Sequence, residues 1–282
     1  MKIVFSRKGF DSSAGGVASP IFSTGEFYSI PIPEKLGPTQ YQQISAGEHN
    51  LGVVASDLSK GRTRGTDRAH VDPDLRYDSL SRKPGWRPLF GQASSSESHL
   101  RKNGVGAGDI FLFFGWFRQV TKARGRYAYV KTAPDNHVIF GWLQIQERIE
   151  SKKFSTLPVW TAGHPHLDQN YPLNTVYMST EKLELPHVPT TVAGAGTFRR
   201  YRESLCLTAN GQSRSRWRLP KWFYPGGKPA LSYHRNLKRW SMQDDHVLLQ
   251  SAGRGQEFVL DCDEYPEAIS WLDEMFAKAS VS

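Results

Sequence analysis

Apolar positions along this chain cluster in short, aromatic-rich blocks separated by glycine and proline. Such punctuation favours short strands joined by many loops over long helices. Two central blocks are the clearest, "GDIFLFFGWFRQV" from Gly108 to Val120 and "HVIFGWLQIQERI" from His137 to Ile149. Both are runs of aromatic and β-branched residues, which fit a pleated and buried surface. Between them "YAYVK" predicts a further strand, with "TKARGR" and "TAPDNH" as turns. The pattern therefore predicts an antiparallel meander at the heart of the fold. Val4 and Phe5 end another short strand near the N-terminus. "RGQEFVLD" predicts a strand with Gln256 and Phe258 on one face and Glu257 on the other.

Helical spacing is rarer. "ESHLRKNG" predicts a short helix ending at Gly104, and "TFRRYRESLCLT" one beginning at Thr197. The C-terminal "YPEAISWLDEMFAKA" carries Ala268, Ile269, Leu272, Met275 and Phe276 on a helical period. The expected fold class is α+β, a strand-rich single domain over 1–282 with a central antiparallel sheet or barrel and a C-terminal helix. "GVGAGDIFLFF" resembles the strand entry of PUA-like barrels, which handle modified or flipped bases.

Charge changes the picture more than hydropathy does. Lys and Arg number 36 against 27 Asp and Glu, a net of +9. An excess of that size makes DNA or a nucleotide the expected partner. No apolar run is long enough to span a membrane, and no charged-then-apolar leader opens the chain. Cys206 and Cys262 are too few for a disulfide framework or a cysteine zinc site, so a reduced, cytoplasmic setting is the default.

Five segments concentrate polar chemistry. "VFSRKGFDSSAGG" follows the first strand with a glycine-broken turn in which Ser6, Arg7, Lys8, Ser12 and Ser13 can hold an anionic ligand and Asp11 can bond a sugar or base edge. It is neither a P-loop nor a dinucleotide fingerprint. "AHVDPDL" presents His70, Asp72 and Asp74, an imidazole and two carboxylates apt for acid–base work. Their spacing matches no zinc or EF-hand pattern, so no metal ligand set is assigned. "WTAGHPHLDQNY" places His164 and His166 on one side of an extended segment, near Asp168.

"SRSRWRLPKWFYP" interleaves Arg214, Arg216 and Arg218 with Trp217, a pattern suited to phosphates and a stacked base. Arg118 lies in the first central strand and completes the expected basic set. In the last segment, "RGQEF", Arg254, Gln256 and Glu257 follow His234 of "LSYH". Glu257 is the expected acid or base there, beside Asp11, His70 and Asp72.

Taken in order, "VFSRKGFDSSAGG", "AHVDPDL", "GDIFLFFGWFR", "HVIFGWLQI", "RSRWRLPKWF", "LSYH" and "GRGQEFVLD" resemble the nucleotide modification associated domain family of the third type. The resemblance runs from Lys2 to the C-terminal helix. It implies a role beside systems that modify bases in DNA, and it supplies no reaction and no cofactor. The expected function is an enzyme of base modification in DNA or nucleotides. The alternatives are a reader of modified bases and a nuclease. A third alternative is a transferase, because the Glu257 strand also resembles the catalytic-glutamate strand of DNA-targeting ADP-ribosyltransferases.

Overall fold

The computed structural model describes residues 1–253, 255 and 257–277. The first half of the chain forms β1 (Lys2–Arg7), β2 (Ser19–Ile21), β3 (Ile32–Glu34), β4 (Ser45–Ala46), β5 (His49–Asn50), α1 (Leu51–Ser59), β6 (Arg68–His70), β7 (Leu89–Gln92) and α2 (Ser94–Lys102). The two long central strands follow, β8 (Ile110–Ala123) and β10 (Asn136–Glu150), with β9 (Arg126–Tyr129) between them. Then come β11 (Thr175–Ser179), β12 (Ala195–Thr197), β13 (Arg216–Pro220), β14 (Trp240–Met242), β15 (His246–Gln250), β16 (Glu257–Asp261) and α3 (Glu267–Ala277).

The large sheet runs β16-β1-β8-β10-β11-β7, with β2 and β9 added to β8 and β12 added to β10. The strands the sequence predicts are all present, but the sheet is mixed rather than antiparallel. β1 runs parallel to β8, pairing Ile3 with Ile110 and Phe5 with Leu112. Ile3, Val4 and Phe5 are all fully buried, as a strand covered on both faces requires. The sheet is open, ending at β16 on one side and β7 on the other, so it is not a closed barrel.

Sequence and structure part over two helices. "TFRRYRESLCLT" is not helical: it holds the end of β12 and a single 3-10 turn at Glu203–Leu205. Phe198 donates its backbone N–H to Phe140 and buries its ring, so pairing with the sheet overrides helix propensity. In the other direction, α1 forms at Leu51–Ser59, where the sequence pattern predicts no helix. Asn50 caps it by accepting from the N–H groups of Gly52 and Val53, and Lys60 closes it in the left-handed region.

Helix α1 belongs to a second, smaller core that includes Phe10, Tyr41, Leu51, Val54, Ala69 and Val71. Because Ala69 and Val71 point into this core, the intervening His70 points away from it. Among the described residues no helix is long and apolar enough to cross a membrane.

Candidate functional site

The free edge of β7 organises the "HVDPD" segment. Asp74 and Leu89 exchange both backbone hydrogen bonds, at 2.9 and 3.1 Å, and the Gly91 N–H donates to Asp72 Oδ1 at 2.7 Å. The β3–β6 pair delivers His70 beside Glu34, whose Oε1 lies 3.2 Å from His70 Nδ1. The loop before β11 brings the other two imidazoles. His164 Nε2 faces Asp72 Oδ1 at 3.4 Å, and His166 Nε2 faces Oδ2 at 3.8 Å. His70 Nε2 lies 4.0 Å from the same Oδ2. Three imidazoles thus surround one buried carboxylate, which is 4 % exposed.

Packing enforces the closeness. A Cβ on Gly91 would sit 2.2 Å from the His166 ring, so only glycine lets that imidazole reach Asp72. Asn174, at the entrance to β11, donates to the carbonyls of His166 and Gln169 and turns its Oδ1 toward His166 Nδ1 at 2.8 Å. Tyr171 packs against the His166 ring with centroids 5.4 Å apart.

The electrostatics follow from burial. Burial opposes ionisation of Asp72, yet the His164 N–H and the charges of His166, His164 and His70 hold its carboxyl well below the usual range. Burial presses His166 down to about 4, against the pull of Asp72. The Tyr171 hydroxyl is raised by burial and then by the negative charges of Glu34 and Asp72.

The cluster forms part of the walls of two cavities. One of about 70 Å³ is lined by Gly9, Tyr28, Ser29 and Asp72, so the first loop and the "HVDPD" loop do meet in space. The other, of about 370 Å³, is lined by Arg82, Lys83, Trp86, Trp160 and His164. Arg82 is bound through two nitrogens to Asp74 at 2.6 Å each and lies 3.9 Å over the Trp86 ring. The second carboxylate of "HVDPD" therefore orients a cation and stays out of the imidazole cluster.

A second buried polar centre lies on the other side of β7. Glu257, 1 % exposed, takes Lys8 Nζ at 3.2 Å and Gln92 Nε2 at 2.5 Å, both on Oε1. Lys8 also lies 4.6 Å over the Phe90 ring. β7 and β16 are the two ends of the sheet, so the curled sheet is bridged by side chains where backbone pairing is missing. Ser6 sits opposite Glu257 in the β1–β16 register, and among the described residues neither Ser6 Oγ nor Glu257 Oε2 has a hydrogen-bond partner.

The other sequence-predicted residues are placed elsewhere. Asp11 spends its Oδ1 on Ser13 and on the backbone N–H groups of Ser13 and Ala14, so its carboxylate builds its own turn. Arg7 bonds the carbonyls of Ala252 and Gly253. Ser12 bonds Arg214, which lies 4.0 Å over the Trp116 ring. Arg118 holds the carbonyls of Val130 and Lys131, and Arg218 pairs with Asp245 at the surface.

Arg216 is half-buried in β13. Trp217 is fully buried and donates to His137 at 3.0 Å, which leaves it no face for a base. His234 bonds the Ser232 carbonyl and the Ala252 N–H, 2.8 and 2.9 Å away, and does not pair with Glu257. Arg254 and Gln256 lie outside the described residues. Asp168, the expected partner of the histidine pair, is exposed, and Asp72 takes that place. The sequence does not single out Glu34, Gly91, Gln92 or Asn174: the first three act through contacts far apart in the chain, and Asn174 acts within the irregular loop that carries His166, where no motif announces it.

The family model described as nucleotide modification associated domain 3 matches residues 2–261. The chain belongs to this family. The match spans both polar centres, from β1 through β16, and the family description ties the chain to nucleotide modification without naming a reaction. No curated protein and no solved structure matches the chain.

Proposed function

We propose that this member of the family is an enzyme that modifies a base in DNA or in a nucleotide. Its chemistry is assigned to the Asp72 cluster and its base-binding site to the adjoining cavity. One observation carries the reading: His164, one of the three imidazoles around the buried Asp72 carboxylate, lines a 370 Å³ cavity flanked by Trp86 and Trp160. That volume lies in the range of small-molecule sites, roughly 300–1,000 Å³. Indole faces suit a purine or pyrimidine ring, and the exposed Lys83 suits the phosphates that accompany it. His164 is the group shared between cavity and cluster, and its Nε2 faces Asp72, so a base bound in the cavity lies next to the cluster.

Glu257 fits a catalytic role less well. Its Oε1 is engaged by Lys8 and Gln92, and it closes the gap between the two ends of the sheet. The base-reader and ADP-ribosyltransferase readings, including any PUA-like base recognition, therefore rank below the Asp72-centred one. Mass spectrometry of nucleosides from DNA and from the nucleotide pool, with and without the protein, tests the proposal. A new or lost nucleoside mass that depends on Trp86 supports it. Tight base binding with no change of mass in either pool would assign a reader instead.

A further inference from the structure

The imidazole tautomers around Asp72 follow from their outer partners. Asn174 uses its amide nitrogen on the carbonyls of His166 and Gln169, so the oxygen it presents to His166 can only accept. His166 Nδ1 must donate, and in the neutral ring that leaves a lone pair on Nε2. Glu34 acts likewise on His70 Nδ1, and frees a lone pair on His70 Nε2. On the carboxylate, Oδ1 is engaged by the Gly91 N–H and faced by His164. His164 Nδ1 lies 3.4 Å from the His166 N–H and accepts from it, so its own proton is on Nε2, aimed at Asp72. What remains unmatched is Asp72 Oδ2, with two imidazole lone pairs turned toward it at 3.8 and 4.0 Å.

Three acceptors converging on one partly buried space repel one another, and a cation between them relieves that repulsion. We infer that His70 Nε2, Asp72 Oδ2 and His166 Nε2 form the binding site of a divalent first-row transition metal ion. The three atoms lie within 4.8 Å of one another. Bonds of about 2.0–2.2 Å set ligand atoms roughly 3 to 4 Å apart, so small rotations of the rings close the set.

The outer partners are those that metal-bound imidazoles characteristically have, a carboxylate on one Nδ1 and an amide oxygen on the other. Two imidazoles and one carboxylate suit zinc or ferrous iron, with the remaining coordination positions open to water or substrate. The sequence spacing hid this set, because His166 arrives from a separate loop far along the chain. Its use in base modification rests on the functional reading above, whereas ion binding is measured without substrate, so the two can fail separately.

The test uses the full chain, treated with a chelator and then titrated by calorimetry with zinc, and anaerobically with ferrous iron. Elemental analysis of the protein after gel filtration gives the stoichiometry. The expected result is one equivalent bound, with affinity reduced at least about a hundredfold in Asp72→Asn and in His166→Gln, and unchanged in the surface variant His246→Gln. Cobalt substitution then reports imidazole and carboxylate ligation by its visible spectrum in the folded wild-type protein. Less than 0.2 equivalents of either ion in the wild type, or equal affinity in folded His166→Gln and wild type, would overturn the assignment.

Discussion

Asn174 Oδ1 lies 2.8 Å from His166 Nδ1, and that contact decides which ring nitrogen turns toward Asp72. The same asparagine is held by two donations to backbone carbonyls, so its orientation is set by the loop that carries His166.

Removing this anchor should weaken the ion site without dismantling the fold. Asn174→Ala is expected to lower zinc affinity by about 10–100-fold, the usual effect of losing a group that orients a ligand. Calorimetry beside a circular dichroism spectrum checks it. An unchanged affinity would mean that the His166 ring is held by other contacts.

Glu257 should prove to be a stability residue. Glu257→Gln leaves Lys8 buried without its counter-charge, a change that costs about 3–5 kcal/mol. For a chain of this size that lowers the melting temperature by on the order of 10 °C. A thermal melt that matches the wild type, together with lost activity, would return Glu257 to the chemistry.

Binding of DNA should be electrostatic. The net charge of +9 predicts an affinity that falls roughly tenfold or more between about 50 and 200 mM salt, as counterions are released from phosphates. Fluorescence anisotropy with single- and double-stranded DNA measures it. Lys83→Ala, at the mouth of the larger cavity, should reduce the salt slope by about one unit if Lys83 contacts a phosphate.

Two buried histidines predict acid lability. Burial lowers His234 to about 4 and His137 to about 3, and each ring accepts a hydrogen bond that requires its neutral form. In the unfolded chain both titrate near 6.5. Between pH ~6.5 and ~4 the unfolded state therefore binds more protons, and stability falls as pH falls. The His234 contribution alone is roughly 3 kcal/mol, complete above about pH 6.5 and lost by about pH 4. Urea melts at several pH values measure the slope. Ring NMR signals of His137 and His234 should not titrate between pH 8 and 5, and a midpoint near 6.5 for either would contradict the assignment.

How much of this was legible in sequence varies with the range of the interaction. β8 and β10 announce themselves because "IFLFFGWF" and "VIFGWL" are unbroken apolar runs, as strands buried on both faces are. α3 follows from its period. Neither the parallel pairing of β1 with β8 nor the β7–β16 bridge has a local signal, since each is set by how distant strands meet. The site shows the same division. His70, Asp72 and the His164–His166 pair stood out as unusual polar residues, but Asp168 lies closer in sequence to the pair than Asp72 does. Only the docking of the "HVDPD" loop on β7 brings Asp72 to them. Asp11 misled because the same oxygen that could bond a ligand is also the best acceptor for its own turn.

Whether the chemistry resides at Asp72 or at Glu257 is decided by one paired comparison. Nucleosides from DNA and from the nucleotide pool of cells expressing wild type, Asp72→Asn or Glu257→Gln are compared by mass spectrometry, at a growth temperature where all three proteins are folded. The modified nucleoside should fall by roughly a hundredfold or more with Asp72→Asn, the scale of losing an essential acid–base or ligand group. Glu257→Gln, once folded, should leave the yield near that of wild type. Full modification by Asp72→Asn, or loss of modification in folded Glu257→Gln alone, would overturn the assignment of the chemistry to Asp72.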